Sequence, residues 1–236
     1  DGFGQIHVRG DHGNLQYRLD GVQLPEGLSR FSQFLMTRSV SQMSLLTGAL
    51  PAQYGLRTAG VADITVKSGT TDPGADLSIT GGSRNYAQPA FSYGGRNGKV
   101  DYFVTGQFLH NSLGIENPTP TFTPVHADTD QWVGLAKISA LIDDNTRLSF
   151  IAGGMNAGFQ IPNVPFQVPN FNVLGVGNWN SGALDQRQWE KSYFAIASLQ
   201  KSYDTLDFQL SGSARYSGLY YQADPMGDLL HNGIAP

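Results

Sequence analysis

The sequence predicts a mixed α+β N-terminal part, residues 1–74, followed by an antiparallel all-β part, residues 75–236. The second part reads as a partial transmembrane β-barrel of about seven strands. Three observations predict this. Apolar and polar residues alternate with a period of two through most of the second part. The pattern is cleanest where Leu206, Phe208, Leu210, Gly212, Ala214 and Tyr216 face one way and Asp207, Gln209, Ser211, Ser213, Arg215 and Ser217 the other. One such side suits lipid and the other a wet lumen. Tight connections alternate with long ones, an asymmetry of transmembrane barrels. Finally, Gly 29 and aromatic 11% are high, and charged residues at 14% are low against a usual share of about 25%, which suits many strands and turns.

The elements follow in order. Residues 6–9 form a short strand, and Asp11-His12-Gly13-Asn14 is a turn by composition. Leu15, Tyr17 and Leu19 alternate with Gln16, Arg18 and Asp20, a strand with one buried face. Asp20-Gly21 interrupts it as a turn or bulge. Phe31, Phe34 and Leu35 share helical spacing, which places a short helix near residues 30–37. Residues 40–47 are extended. Gly48, Pro51, Gly55 and Gly60 then break any regular element, with Tyr54 alone among small residues in the bend. Residues 61–66 are extended again and end at Lys67-Ser68-Gly69. Residues 69–74 make a polar hinge.

Beyond the hinge, strands are placed near 75–83, 86–95, 100–110, 130–142, 147–157, 190–202 and 206–217. Arg96-Asn97-Gly98, Asp143-Asp144-Asn145-Thr146 and Tyr203-Asp204-Thr205 are tight turns, and 111–129 and 158–189 are long loops. The connection at Ser83-Arg84-Asn85 is the exception, short where a long one is expected.

Several residues carry a resemblance. Val8-Arg9-Gly10, Tyr17-Arg18-Leu19-Asp20-Gly21-Val22, Gly48-Ala49-Leu50-Pro51-Ala52-Gln53-Tyr54-Gly55 and Gly60-Val61-Ala62-Asp63-Ile64-Thr65-Val66-Lys67-Ser68-Gly69 stand in that order. Together they resemble the plug-domain signatures of TonB-dependent outer-membrane receptors. The resemblance covers residues 1–69 closely; beyond that only the strand pattern supports it. It implies that residues 1–74 are the C-terminal part of a plug and its hinge. It implies that residues 75–236 are the first strands of a larger barrel, of the roughly 22-stranded transporter type. It assigns a structural plug role to Arg9, Gly10, Asp20, Gly21, Gly48, Pro51, Tyr54, Gly55, Gly60 and Gly69. Arg9 and Asp20 admit two readings, a buried ion pair within the plug or two unrelated surface charges.

The implied function is energy-coupled uptake of a nutrient such as an iron chelate, cobalamin or carbohydrate. The implied location is the outer membrane of a Gram-negative bacterium. The implied partners are the small-molecule ligand, outer-membrane lipid and an inner-membrane TonB-type energy complex reached through an N-terminal segment that this sequence does not contain. The chain opens inside a fold, at Asp1-Gly2-Phe3-Gly4, and is expected to be a fragment. A passive porin and a soluble extracellular β-rich adhesion module are the alternatives; residues 1–69 have no purpose in the porin.

Other chemistry is weighed against plainer readings. A net charge of −4 with no basic run argues against nucleic acid. Cys 0 removes disulfides and thiolate metal sites. No run approaches the roughly 18 apolar residues of a membrane helix, whereas a barrel strand needs only about 9–11 residues. Gly94-Gly95-Arg96-Asn97-Gly98-Lys99 is one residue short of a phosphate loop and has Val100 in the magnesium-binding place, so a hairpin explains it. The histidines at 7, 12, 110, 126 and 231 lack metal spacing, and Asp128 and Asp130 read as a strand edge rather than a calcium site. No nucleophile, base or cofactor constellation is expected, so no enzyme, cofactor or metal. In loop 158–189, Phe159 and Trp189 are expected in an interfacial aromatic girdle, and Phe166, Phe171 and Trp179 are candidate ligand contacts.

Overall fold

The structure, a computed structural model, describes residues 15–24, 36–48, 50, 52–55, 60–113, 126–161 and 184–225. They form two sheets. The smaller has four strands: β1 (Leu15–Leu19), β2 (Val22–Gln23), β3 (Val40–Leu46) and β4 (Gly60–Val66), in the order β2-β1-β4-β3. β1 runs parallel to β4, and the other pairs are antiparallel. Asp20 and Gly21 join β1 to β2 with φ of 48° and 78°, the left-handed pair of a type I′ hairpin. The two-residue turn matches the twist of its flanking strands, which is why an Asp-Gly step sits there. The helix expected near residues 30–37 falls mostly outside the described residues; its described end is a 3-10 turn, Thr37–Ser39.

The larger sheet is an antiparallel meander of seven strands, in chain order from β5 to β11. They are β5 (Gly74–Gly81), β6 (Ala87–Asn97), β7 (Val100–Asn111), β8 (Thr129–Asp143), β9 (Thr146–Gln160), β10 (Arg187–Ser202) and β11 (Asp207–Gln222). All seven expected strands are present, several longer than alternation suggested. The sheet fits a partial barrel. The short connection at 82–86 carries left-handed residues at Arg84 and Asn85, φ 60° and 57°, which lets it close tightly. No helix among the described residues is long and apolar enough to cross a membrane.

Register decides which side chains share a face. Val133, Leu135, Lys137 and Ser139 of β8 stand opposite Met155, Gly153, Ile151 and Ser149 of β9. These in turn face Ser192, Phe194, Ile196 and Ser198 of β10. That inner face packs against the small sheet. Leu19, Val22, Leu24, Met36, Ile64 and Val66 meet Val133, Leu135, Ile151, Met155, Phe194 and Ile196 in one buried cluster. Each large side chain there contributes about 2 kcal/mol of burial. The outer face is the opposite case. Leu77, Ile79, Trp132, Ile138, Phe150, Leu210 and Tyr216 all stand exposed, with Ile79 at 79%.

Aromatic residues bound this apolar outer face at both ends. Towards the tight turns lie the pairs Tyr93–Tyr102 and Tyr203–Phe208, with ring centroids 5.8 and 6.3 Å apart. Towards the long loops lie Phe108–Trp132 and Trp189–Tyr220, at 4.4 and 5.5 Å. Phe159 does not join them. It is 2% exposed in the inner core. It shares the parity of Met155 and Ala157, so nearness to a strand end did not determine its face; the period of two did.

Candidate functional site at the seam between the sheets

Polar side chains ring the apolar contact and tie the small sheet to the inner wall. Asp20 does so from its left-handed turn. Its Oδ1 accepts the Val66 amide hydrogen at 2.9 Å, and its Oδ2 lies 2.6 Å from Lys137 Nζ. Lys137 Nζ also donates to the Val66 carbonyl at 3.2 Å. Lys137 and Asp20 side chains are 12% and 20% exposed, so the pair is largely withdrawn from water. One ammonium thus holds both the β1–β2 turn and the end of β4. Removing either partner from a buried pair is costly because the other charge is left alone.

The connection from β4 to β5, expected as a polar hinge, is pinned. Asp101, on the inner face of β7, accepts the backbone N–H groups of Gly69 at 2.9 Å and Thr70 at 2.6 Å, together with the Thr70 hydroxyl. Lys67 and Asp72 close the linker on itself at 2.5 Å. Arg38, from the 3-10 turn, pairs with Asp76 and Ser78 of β5. Gly69 and Gly94 meet backbone to backbone. A Cβ on Gly94 would collide with the Asp72 carbonyl, and one on Gly69 with Gly95.

Two polar cavities flank the seam. One, of about 310 Å³, is lined by Asp101, Lys137, Arg96, Lys99 and Arg147. The other, of about 480 Å³, lies beside Arg38, Lys67, Asp72, Asp76 and Ser92. Such a seam is a set of charge-assisted hydrogen bonds next to water, around an apolar patch. It holds the small sheet in register, yet water can replace its polar contacts one at a time. Among the described residues no group of three or more His, Asp or Glu is placed to hold a metal ion.

A second knot of contacts sits at the long-loop end. His126 Nδ1 and Nε2 lie 3.2 Å from the Ile161 carbonyl and 3.4 Å from Asp185 Oδ1. Asp185 takes the Arg187 Nε–H at 2.5 Å, and its own N–H donates to Asp224 Oδ2 at 3.2 Å. The Arg187 hydrogen bond holds the Asp185 carboxyl below the ordinary carboxylate range; desolvation, the next largest effect, opposes it, and the weaker hydrogen bond from His126 adds to the lowering.

Of the residues singled out by sequence, Asp20, Gly21 and Gly69 fall in the seam. Tyr54 lies under Arg18, whose guanidinium is 5.2 Å from the ring centroid. Gly48 and Gly55 have φ of 92° and 69°, and Gly60 lies too close to the Leu46 carbonyl for a Cβ. Arg9, Gly10, Pro51, Phe166, Phe171 and Trp179 lie outside the described residues. Lys137, Asp101 and Arg38 were not singled out. Lys137 did carry a signal: it is the lone charge between Trp132 and Ile142, at an inward position.

The chain is similar to several solved structures. To the ferric yersiniabactin uptake receptor FyuA from Yersinia pestis it is 20% identical with a TM-score of 0.63, covering 89% of this chain and 33% of that one. To the FrpB iron transporter from Neisseria meningitidis it is 15% identical with a TM-score of 0.62, covering 91% and 35%. To the ferripyoverdine receptor of the outer membrane of Pseudomonas aeruginosa it is 14% identical with a TM-score of 0.57, covering 84% and 26%. At these identities the likeness is one of fold. The chain spans about a third or less of the length of these structures. No family model and no curated protein matches it.

Proposed function

We propose that the chain is part of an energy-coupled outer-membrane receptor of the TonB-dependent class. Residues 1–74 are the C-terminal part of its plug and hinge, and residues 75–236 the first strands of its barrel. The observation that carries this reading is the inverted distribution of polarity. The seven-stranded sheet turns an exposed apolar face outward between two aromatic bands, the arrangement a bilayer requires. Its inner face holds a second folded sheet through the seam. β8 to β11 have 15 or 16 residues each, more than the about 9–11 that a bilayer needs, so their ends stand clear of the lipid.

A folded sheet seated in a lumen blocks diffusion, so passage requires work on it. The Asp20–Lys137 pair and the Asp101 clasp on the linker are the contacts that such work must break. The work comes from an inner-membrane energy complex acting through the periplasm. The cargo is a small nutrient, and the similar structures, named for ferric yersiniabactin and ferripyoverdine, favour an iron chelate. Ligand capture belongs to the long-loop end, with Phe166, Phe171 and Trp179 as candidate contacts. The reading is one of transport rather than catalysis.

The test is uptake of radiolabelled ferric chelates by iron-starved cells making the full-length receptor, with and without the energy complex. Uptake should vanish without the complex. Uptake that persists points to a passive pore, and a monodisperse protein in plain buffer with a cooperative melt removes the membrane assignment altogether.

A further inference from the structure

The cavity at the tight-turn end carries more positive charge than the seam uses. Arg96, Lys99, Lys137 and Arg147 line it, against one carboxylate, Asp101. Lys137 is paired with Asp20, whereas Asp101 keeps its charge, because the amides of Gly69 and Thr70 that donate to it are neutral. Among the described residues Arg96 Nε donates only to the Gly98 carbonyl, at 2.9 Å, and Lys99 Nζ only to the Ile142 carbonyl, at 3.3 Å. Both contacts leave the positive charge uncompensated. Arg147 has no hydrogen bond or ion pair among the described residues. Arg96, Lys99 and Arg147, none of them in an ion pair among the described residues, therefore face one space of about 310 Å³ with a single carboxylate, Asp101, to offset them.

The convergence follows from register. Arg96 stands opposite Asp101 on the inner face of β6 and β7, and Arg147 opposite Leu141 on the inner face of β8 and β9. Lys99 comes from the hairpin between β6 and β7. Like charges gathered on one cavity repel, and a counter-anion relieves that repulsion. All three residues are exposed to water, so an anion reaches them without displacing a protein partner. The hydroxyls of Ser41 and Thr65 line the same wall and add neutral donors.

We propose that this cavity is a binding site for an oxyanion of the phosphate class, free or as the head of a larger molecule. Two guanidinium groups offer paired N–H donors that match a phosphoryl group, with the Lys99 ammonium as a third charge. A volume of about 310 Å³ exceeds a bare phosphate and is at the lower end of small-ligand pockets, so there is room for a pyrophosphate or a short attached group.

The test is calorimetric titration of the full chain in detergent micelles with inorganic phosphate and pyrophosphate, against sodium chloride at matched ionic strength. Saturable pyrophosphate binding is expected. It should weaken at least about tenfold in Arg147→Gln and in Arg96→Gln, because each loses a charge-assisted contact. Arg147→Lys should recover part of the loss. A second arm uses micelles doped with phosphatidic acid. Competition between the two arms assigns the site to the phosphate head itself, and heat in the doped arm alone assigns it to a lipid headgroup. No heat above chloride in either arm, or equal binding by the unaltered chain and both glutamine variants, overturns the site.

Discussion

Replacing Lys137 by methionine isolates the seam. Methionine fits beside Phe103 and Ile151, the register neighbours of Lys137 on the inner face, and leaves the apolar contact intact. The Asp20 carboxylate keeps the Val66 N–H but loses the ammonium 2.6 Å away. At an effective dielectric of 20, two unit charges about 4 Å apart interact by about 4 kcal/mol. Stripping one partner from a buried pair costs about 3–5 kcal/mol. Here the side chains are 12% and 20% exposed, so water takes up part of the loss. The expected cost of Lys137→Met is then about 2–3 kcal/mol. Adding Asp20→Asn should give back about 1 kcal/mol, because no charge is left unpaired and the amide oxygen still accepts from Val66. The assay is equilibrium urea unfolding of the full chain in detergent micelles, with amide exchange read at Val66. Exchange there should quicken in the single variant and slow again in the double. A single variant within about 0.5 kcal/mol of the unaltered chain would refute the reasoning. So would a double variant whose loss equals the sum of the two singles.

Arginine at Leu210, which is 68% exposed on the outer face, should cost about 2–4 kcal/mol of folding into lipid vesicles if it lies near the bilayer midplane. Arginine at Ser211, whose hydroxyl meets Ser198 at 3.0 Å on the inner face, should cost about 1 kcal/mol or less, and equal costs contradict the register. In intact cells, Cys in place of Leu113, at the long-loop end, should react with an impermeant maleimide, while Cys in place of Asn145, in the turn between β8 and β9, stays silent until the outer membrane is breached. The reverse labelling inverts the topology. Asp185 titrates below the ordinary carboxylate range in the folded chain, so its contribution is full above about pH 4 and is lost as pH falls through its lowered value. The protection factor of its own N–H, bonded to Asp224, taken against the intrinsic exchange rate at each pH, should therefore be flat above that pH, and a fall confined to neutral pH would contradict the assignment.

What the sequence determined by itself is local. Strict alternation over Leu206–Ser217 specifies a two-faced strand because side chains on a pleated backbone change sides at every residue, and the strand found there is Asp207–Gln222. Asp20-Gly21 specifies a two-residue hairpin because these residues tolerate positive φ. The tight turns expected at Arg96-Asn97-Gly98 and Asp143-Asp144-Asn145-Thr146 are found at residues 98–99 and 144–145, the first because Gly98 takes a φ of 57° and the second because the Asp143 carboxylate accepts the Asn145 N–H. Tertiary structure decided everything that depends on which strands stand opposite each other. Nothing near Asp20 in sequence points to Lys137; their pairing depends on the small sheet being seated against β8. Phe159 and Trp189 look alike by position near strand ends, yet Phe159 is buried in the core and Trp189 packs on Tyr220 outside. Arg96, Lys99 and Arg147 are scattered turn and strand-end residues until register gathers them on one cavity. Alternation repeats identically along any strand, so it sets two faces without naming which faces the core. That choice belongs to the long-range burial of Leu19, Ile64 and Val66 against Ile151, Met155 and Ile196, and no local pattern contains it.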